Sequence, residues 1–572
     1  MDQKKRRVVV VGGVAAGMKV ASRLRRLDPE VEITVIERGS QVSYGACALP
    51  YYIEGLFEDL DEVRQTPAGV VRDETFFRKV KGFDVRASTE ALNVARKARI
   101  LRVRDLQTGE EENLAYDVLV LATGNRPILP SIPGIDLAGV HALKSPEDAG
   151  YLMDLSRTAR TAVIVGGGLI GLEMAEALAK RGIAVTLVEM KDQILASALD
   201  FGMAALVHRE LRKNGVNLRL GEGVQAIEGE EGRVSRVLTT GGSYAADMVV
   251  MAIGVRPEVT LARDAGLEIG PTGAIAVDAG LRTSDPSIYA AGDCAESTDL
   301  LTGKKVYVPL GSTANKHGRV VADNICGRNE TFAGILGSLI VKVFDLNVAR
   351  TGLSEEDARL VGLDPVTLLA PSPDRAHIYP GAKPIVIKLV ADRASRRILG
   401  AQIVGPGNVD KRIDTLVAAL TLGATVDQVA AFDLAYAPPF ASAMDPLITA
   451  ANALRNKLDG IGISLDPAEV MELLEGEEDF VFLDVRSPAE YSEVRIPGST
   501  LLPLGMLRQR LAELPRDRRI VAFCKLSLRG YEAQRILQGA GFDRVCFMEG
   551  GILGWPYLLE SGPVVSAAAG AA

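Results

Sequence analysis

Thr161-Ala162-Val163-Ile164-Val165-Gly166-Gly167-Gly168-Leu169-Ile170-Gly171-Leu172-Glu173 decides the fold. Its first five residues are apolar or β-branched and suit a buried parallel strand. Gly166, Gly168 and Gly171 then complete an intact GxGxxG turn, with Leu169 and Ile170 between them, and an alanine-rich helix follows. The next strand-like run, Ala184–Val188, stops at Glu189. Such a turn brings backbone N–H groups against a pyrophosphate at a helix N-terminus, while the acid after the second strand receives ribose hydroxyls. An acid there repels a 2′-phosphate, which favours NADH over NADPH; Lys191 nearby keeps use of both open. Ala252-Ile253-Gly254-Val255-Arg256-Pro257 closes this unit.

The same pattern occurs upstream. Arg7–Val11 is a second buried-strand run, Gly12-Gly13-Val14-Ala15-Ala16-Gly17 a second glycine turn, and Val20, Ala21, Leu24 and Leu27 mark one helix face. Val31–Ile36 leads to Glu37 and Arg38, with Glu37 placed 25 residues after Gly12. Val14 stands where the fingerprint has its second glycine, so this motif taken alone also fits a glycine turn of another α/β unit. Just downstream, Ser43-Tyr44-Gly45-Ala46-Cys47-Ala48-Leu49-Pro50-Tyr51 carries a cysteine with no second cysteine within ten residues on either side. Any disulfide chemistry at Cys47 therefore takes its other sulfur from a substrate.

The composition sets bounds. A chain of 572 residues is too long for one core and predicts three or four domains. Its net charge of −8 gives no basic field for nucleic acid or an anionic membrane. Five cysteines, at 47, 294, 326, 524 and 546, are scattered without a CxxC pair, which predicts a reducing compartment and no metal site. Cys294, Cys326 and Cys546 are expected to be buried small hydrophobes. Basic Lys4–Arg7 before an apolar run imitates a signal peptide, but the run is short and flows into Lys19, Arg23, Arg25 and Arg26. With no apolar stretch of membrane-spanning length, the expected location is cytoplasmic.

Further segments carry a resemblance. Leu119-Val120-Leu121-Ala122-Thr123-Gly124-Asn125-Arg126-Pro127 and Ser287-Ile288-Tyr289-Ala290-Ala291-Gly292-Asp293 resemble two flavin motifs of flavoprotein reductases, the aspartate holding the ribityl chain. With both glycine turns, residues 1 to about 450 resemble the pyridine nucleotide–disulfide oxidoreductases, and more closely their coenzyme A disulfide reductase branch. The resemblance implies an FAD-binding domain at 1–144 and 281–330, an NAD(P)-binding domain at 145–280 and a dimerisation domain at 331–455. The overall class is α/β with two Rossmann-like domains. The FAD candidates it implies are Gly12, Val14, Ala15, Gly17, Glu37, Arg38, Ser43, Ala122, Thr123, Gly124, Arg126, Gly292, Asp293 and Ala314. The nicotinamide nucleotide falls to Gly166, Gly168, Leu169, Ile170, Gly171, Glu189 and Gly254.

The branch has a single active-site cysteine, here Cys47, with Ala46 where asparagine is frequent. Helix segment Gly311–Arg319 resembles the one that contacts coenzyme A, making Asn315 and Arg319 candidates along with Arg23, Ser43, Lys411 and Arg412. The charges of Val409–Asp414 are read as structural or substrate-adjacent without choosing between them. In the family two loops carry tyrosines across a homodimer interface to the partner's active site, a role implied for Tyr379 and Tyr436; Ile378 replaces a further tyrosine.

After a linker at 456–463, residues 464–560 form another α/β pattern, and 561–572 a disordered tail. Phe480–Tyr491, Ile496-Pro497-Gly498 and Cys524-Lys525-Leu526-Ser527-Leu528-Arg529-Gly530 resemble the rhodanese signature, completed by Gly550, Gly551 and Trp555. Cys524 would carry sulfane sulfur, with Arg529 in its loop. The departures are Ser527 for a glycine and Arg495 for a histidine.

The function implied is NAD(P)H-dependent, FAD-mediated reduction of coenzyme A persulfide, polysulfide or coenzyme A disulfide, with the rhodanese delivering sulfur. An ordinary cysteine is only about 3 % ionised at pH 7, so both thiols need help. At Cys47 the flavin and helix dipoles are the expected source of a downward shift. The alternatives are an NADH peroxidase or oxidase using a cysteine sulfenic acid, which such enzymes pair with a histidine in the first glycine loop where this chain has Ala15, and a redox sensor with a rhodanese docking module.

Overall fold

The computed structural model describes residues 5–562. The expected tail at 561–572 lies outside the described residues from 563 onward, while Ser561 still pairs with Val494 in a short antiparallel ladder. The chain divides into two compact units, 5–194 with 215–335 and 195–214 with 336–562.

The first unit contains two five-stranded parallel sheets. In one, the order is Ile288–Ala290, Val118–Leu121, Arg7–Val11, Glu32–Ile36, Asp84–Arg86. In the other it is Asn217–Leu220, Ala184–Glu189, Thr161–Val165, Met248–Met251, Val140–His141. The leading strand of each glycine motif is therefore central. That position explains its unbroken apolar run, since helices cover both faces of a parallel sheet. Val8, Val10, Val163 and Ile164 are at most 1 % exposed, and burying each contributes roughly 1.5–3 kcal/mol.

The second unit contains an antiparallel sheet ordered Leu339–Val343, Leu346–Gly352, Ile398–Gly405, Pro384–Asp392, Pro365–Pro373. It also contains a parallel sheet ordered Ser464–Leu465, Val545–Met548, Arg519–Phe523, Phe480–Asp484, Thr500–Leu501. One buried carboxylate joins the two. Glu549, 1 % exposed, accepts hydrogen bonds from the Leu369 N–H at 2.5 Å, Ser464 Oγ at 2.8 Å and Lys457 Nζ at 2.5 Å. The next residue, Gly550, donates its N–H to the Leu369 carbonyl at 3.1 Å. Leu369 lies in the Pro365–Pro373 strand and Lys457 in helix Pro446–Leu458.

Candidate functional site

The first glycine turn leads into helix Ala16–Leu27, whose N-cap Ala15 makes no side-chain capping bond, leaving its first N–H groups to a ligand. Glycine is required sterically: a Cβ on Gly12, whose φ is +113°, would stand 2.0 Å from the Ala122 carbonyl oxygen, and one on Gly17 1.9 Å from that of Gly12. The Glu37 carboxylate accepts the N–H groups of Gly13 at 2.6 Å and Gly39 at 2.8 Å, which aims it along the turn. Val14 is half-buried beside it and Arg38 is exposed. Ser43 holds a left-handed φ of 55° and donates its N–H to the Gly13 carbonyl at 2.8 Å. A non-glycine residue there stores local strain, as residues at ligand sites commonly do.

At the same carboxyl end of the sheet, Asp293 accepts Asn125 Nδ2 at 2.7 Å and Lys144 Nζ donates to Asn125 Oδ1 at 2.8 Å. Burial raises Asp293, opposed by Lys144, while burial lowers Lys144, opposed by Asp293. The buried Tyr307 hydroxyl beside Asp293 has no hydrogen-bond partner. Gly292 packs so closely that a Cβ would stand 2.9 Å from that of Ala16 and 3.5 Å from that of Ala314. Thr123 Oγ1 donates to the Glu258 carbonyl, and the Asn125–Pro127 and Val255–Pro257 segments pair antiparallel, tying the turn at Gly124 and Arg126 to the one at Gly254. A glycine cradle, an acid for ribose and an orphaned phenol fit FAD. His317 is fully buried, accepts the Gly292 N–H at Nδ1 and is lowered by burial to about 4. It is a neutral packing residue.

The second glycine turn repeats the geometry. A Cβ on Gly166 would stand 2.4 Å from the Ala252 carbonyl oxygen and one on Gly171 2.0 Å from that of Gly166, whereas Gly168 has open space at the uncapped start of helix Leu169–Lys180. Glu189 accepts the N–H groups of Gly167 at 2.7 Å and Lys191 at 2.9 Å. The residues fit a nicotinamide dinucleotide.

Cys47 lies in a short turn, Ala46–Ala48, and is exposed. The protein groups around it do not lower its thiol as expected. Its setting raises it, first by shielding from water and then through the charges of Glu173 and Asp293, with a backbone hydrogen bond and Lys144 opposing. Desolvation is the larger cause and the two carboxylate charges add to it, so the downward shift expected at this thiol is not supplied by the protein groups around it.

The proposed coenzyme A contacts separate into two kinds. Asn315 and Arg319 are exposed on helix Gly311–Ile325, Arg319 only 4.0 Å from Asp323. Arg23 is committed to the same Asp323 through two hydrogen bonds of 2.9 and 2.7 Å, so its fork is already occupied. In the second unit Arg412 is 1 % exposed; it pairs with Asp445 at 3.0 Å and donates to the carbonyls of Asp374 at 2.7 Å and Asn408 at 2.8 Å. Asp374 begins the loop bearing Tyr379 and Asp445 ends the one bearing Tyr436. Of the two readings of this segment, the structural one describes Arg412, while Lys411 lies 3.5 Å from Asp445 with 34 % of its side chain exposed. Tyr379 and Tyr436 are exposed, as are Ile378, Phe440 and Met444.

In the C-terminal sheet, strand Arg519–Phe523 delivers Cys524, 2 % exposed, to helix Leu528–Gly539. The Ser527 N–H donates to Cys524 Sγ at 3.3 Å. Ser527 has φ 150° and ψ −40°, a region that favours glycine, and its Oγ accepts the Gly550 N–H at 2.9 Å. Gly551 packs against the loop, where a Cβ would stand 2.4 Å from the Cys524 carbonyl oxygen, and Trp555 is 1 % exposed. Arg529 forms a two-armed pair with Glu490 at 2.9 and 2.7 Å and also interacts with Cys524. Arg495 turns away to Glu560 and the Gly562 carbonyl.

Comparison with known families matches this arrangement segment by segment. The profile described as pyridine nucleotide-disulphide oxidoreductase matches residues 6–318. The chain belongs to that family. Its dimerisation-domain profile matches 339–448 and the rhodanese-like profile 466–556. This oxidoreductase is 40 % identical, over 79 % of its length and 99 % of the relative's, to an NAD(P)H coenzyme A polysulfide/persulfide reductase of Pyrococcus horikoshii. Among solved structures, the NAD-dependent persulfide reductase of A. fulgidus superposes with TM-score 0.92 at 46 % identity, covering 96 % of this chain and 100 % of that one. The reduced CoADR-RHD of Bacillus anthracis gives 0.89 at 38 % identity, covering 96 % and 98 %. No helix among the described residues is long and apolar enough to cross a membrane, and no group of them could hold a metal ion.

Sequence reasoning missed Lys144, Glu173 and Tyr307. Lys144 and Tyr307 stand outside any glycine motif and Glu173 closes the second one, and only burial and charge effects involving Cys47 or Asp293 mark them.

Proposed function

We propose that this oxidoreductase uses NADH to reduce coenzyme A persulfide, polysulfide or coenzyme A disulfide at Cys47, and that Cys524 supplies sulfane sulfur. The observation that carries the reading is the pairing of one exposed, unbridged cysteine beside a nucleotide cradle with a complete thiol loop in the C-terminal domain. Bound FAD supplies the two-electron relay between nicotinamide and sulfur. The chain's own part is to orient and ionise. The turn at Gly12–Gly17 and Glu37 holds one dinucleotide, and the turn at Gly166–Gly171 and Glu189 the other. Cys47 attacks the sulfur–sulfur bond as thiolate, while Asn315 and Arg319 offer an exposed donor and a cation to coenzyme A. The Cys524 loop turns the Ser527 N–H toward its sulfur, as an anionic persulfide requires.

The dimerisation domain supports a homodimer in which Tyr379 and Tyr436 reach the partner's active site and hydrogen-bond the departing thiolate. The domain division set out from the sequence organises this reading. Peroxide reduction is disfavoured by Ala15, since the first glycine turn contains no histidine.

NADH consumption measured side by side with coenzyme A persulfide, coenzyme A disulfide, polysulfide and peroxide tests the proposal. Rapid turnover with a sulfane or disulfide substrate, lost in Cys47→Ser, is expected. Turnover with peroxide alone, or one reduction per flavin and no more, refutes it. Cys524→Ser is expected to lower use of sulfur donors that must load the rhodanese; no change with any donor removes the delivery role.

A further inference from the structure

The side chains around the Cys524 loop decide which sulfur donors suit it. The loop carries two cations, Lys525 and Arg529. Arg529 gives both terminal nitrogens to the Glu490 carboxylate, at 2.9 and 2.7 Å, so that pair brings no net charge to an incoming ligand. On the neighbouring strand end Arg486, 2 % exposed, closes onto Asp484 at 2.7 Å. The Ser527 hydroxyl is occupied as well, accepting the Gly550 N–H and donating to the Leu526 carbonyl. The start of helix Leu528–Gly539 holds roughly half a positive charge, and the Ser527 N–H before it already faces the Cys524 sulfur. Of the loop's cations Lys525 remains, exposed and in no ion pair among the described residues.

What surrounds these groups is apolar. Leu526 is half-buried, and Leu528, the first residue of the helix, is 64 % exposed. Strand Phe480–Asp484 runs parallel to the strand that delivers Cys524, with Asp484 opposite Phe523, so Val485 and Cys524 leave the sheet at one edge. The Leu504 N–H donates to the Val485 carbonyl at 3.1 Å, which starts helix Leu504–Leu507 at that edge. This short helix packs against helix Leu528–Gly539 and exposes Met506 by 45 %. Exposed apolar side chains grouped at one edge mark a ligand surface. Here they suit an arm of methylenes and amides that carries charge only at its sulfur. A dianion would meet one free cation, an anionic sulfur and apolar walls, and would lose hydration that nothing replaces.

We propose that the Cys524 loop takes its sulfur from a persulfide at the end of an uncharged thiol arm, and turns away dianionic donors such as thiosulfate. This rests on the reading of Cys524 as a sulfur carrier and names its donor class. The Cys524 thiolate attacks the outer sulfur of the persulfide. A sulfur–sulfur bond forms to Cys524 and the donor's own sulfur–sulfur bond breaks. Its electron pair stays on the arm's sulfur, which leaves as thiolate and takes up the proton that Cys524 gave up. The products are Cys524–S–SH and the free thiol, and no oxidant or reductant is consumed.

The test uses the FAD-loaded full chain with Cys47→Ser and no NADH, so that sulfur stays on Cys524. The readout is the gain of one sulfur on the Cys524 peptide, by mass. Initial loading rates are compared for pantetheine persulfide, whose arm is uncharged, mercaptosuccinate persulfide, whose stem carries two carboxylates, and thiosulfate. Pantetheine persulfide is expected to load faster than either anionic donor by roughly tenfold or more, the worth of one hydrogen bond to a charged group. Leu528→Lys places a second free cation at an exposed site. It is expected to raise loading from both anionic donors by roughly tenfold, by the same reasoning, and to lower loading from pantetheine persulfide. Glu490→Gln frees the Arg529 guanidinium and is expected to shift the preference the same way by an independent route. Either anionic donor matching pantetheine persulfide on the unsubstituted loop, or no shift toward the anionic donors in either variant, overturns the proposal. Loading led by thiosulfate leaves Cys524 a carrier and sinks only the donor assignment, whereas no loading from any donor sinks the carrier reading itself.

Discussion

Arg412 and Asp445 meet at 3.0 Å with side chains only 1 % and 3 % exposed, and the same guanidinium donates to the Asp374 carbonyl. One buried cation thereby ties down the start of the Tyr379 loop and the end of the Tyr436 loop. Arg412→Leu removes it and leaves the buried Asp445 carboxylate with Lys411, at 3.5 Å, as its remaining cation, a loss approaching the roughly 3–5 kcal/mol of a broken buried pair. A lower unfolding midpoint is expected, together with reduced turnover at normal flavin content. Unchanged melting and unchanged kcat would show that the tyrosine loops are held by other contacts.

Arg529 and Glu490 make the analogous link in the thiol loop. The Arg529 hydrogen bond holds the Glu490 carboxyl down to about 2. A depressed carboxyl stabilises the folded form fully above its ordinary value of about 4.3, and the contribution is lost as pH falls toward 2. Urea midpoints of the rhodanese transition are expected to fall over that window, and to fall less in Glu490→Gln, which is already weaker at pH 7. Identical acid dependence in both proteins would contradict the assignment.

The Glu189 carboxylate fixes the N–H groups of Gly167 and Lys191, and an acid closing this strand of a dinucleotide fold disfavours a 2′-phosphate. Glu189→Ala is expected to lower kcat/KM for NADH by about tenfold, the value of one or two hydrogen bonds, and to raise the NADPH-to-NADH ratio. A ratio that does not move places the ribose discrimination elsewhere.

Two glycines separate folding from binding. Gly17→Ala forces a Cβ to within 1.9 Å of the Gly12 oxygen and is expected to yield protein lacking flavin absorbance. Gly168→Ala meets nothing within 4 Å, so it should keep both fold and flavin while raising KM for NADH. Flavin retained at wild-type stoichiometry by Gly17→Ala would refute the cradle.

How much was legible in the sequence follows from how local each signal is. The strands at Arg7–Val11 and Thr161–Val165 appear at the expected residues because a central parallel strand must be apolar throughout. Glu37 and Glu189 were readable because each closes a strand at fixed spacing from its glycine turn. Glu173 stood within the quoted motif, yet its influence was hidden, since its charge bears on Cys47, which is 126 residues away, and on Tyr51. Arg23 and Arg412 illustrate the opposite difficulty. Both are basic residues in segments with a substrate resemblance, and their acidic partners, Asp323 and Asp445, lie 300 and 33 residues away. Ionic pairing across such separations is a property of the fold and leaves no periodicity.

Glu549 has a consequence for the integrity of the chain itself. Because this carboxylate and the Gly550 N–H grip the Leu369 backbone and Lys457, the peptide at 459–462 is not the sole bond between the antiparallel sheet and the rhodanese sheet. A protein nicked there by a protease is expected to elute from a sizing column as one species, and separately expressed halves to complement one another. Glu549→Ala should abolish that complementation, turning a fused lobe into a tethered cargo.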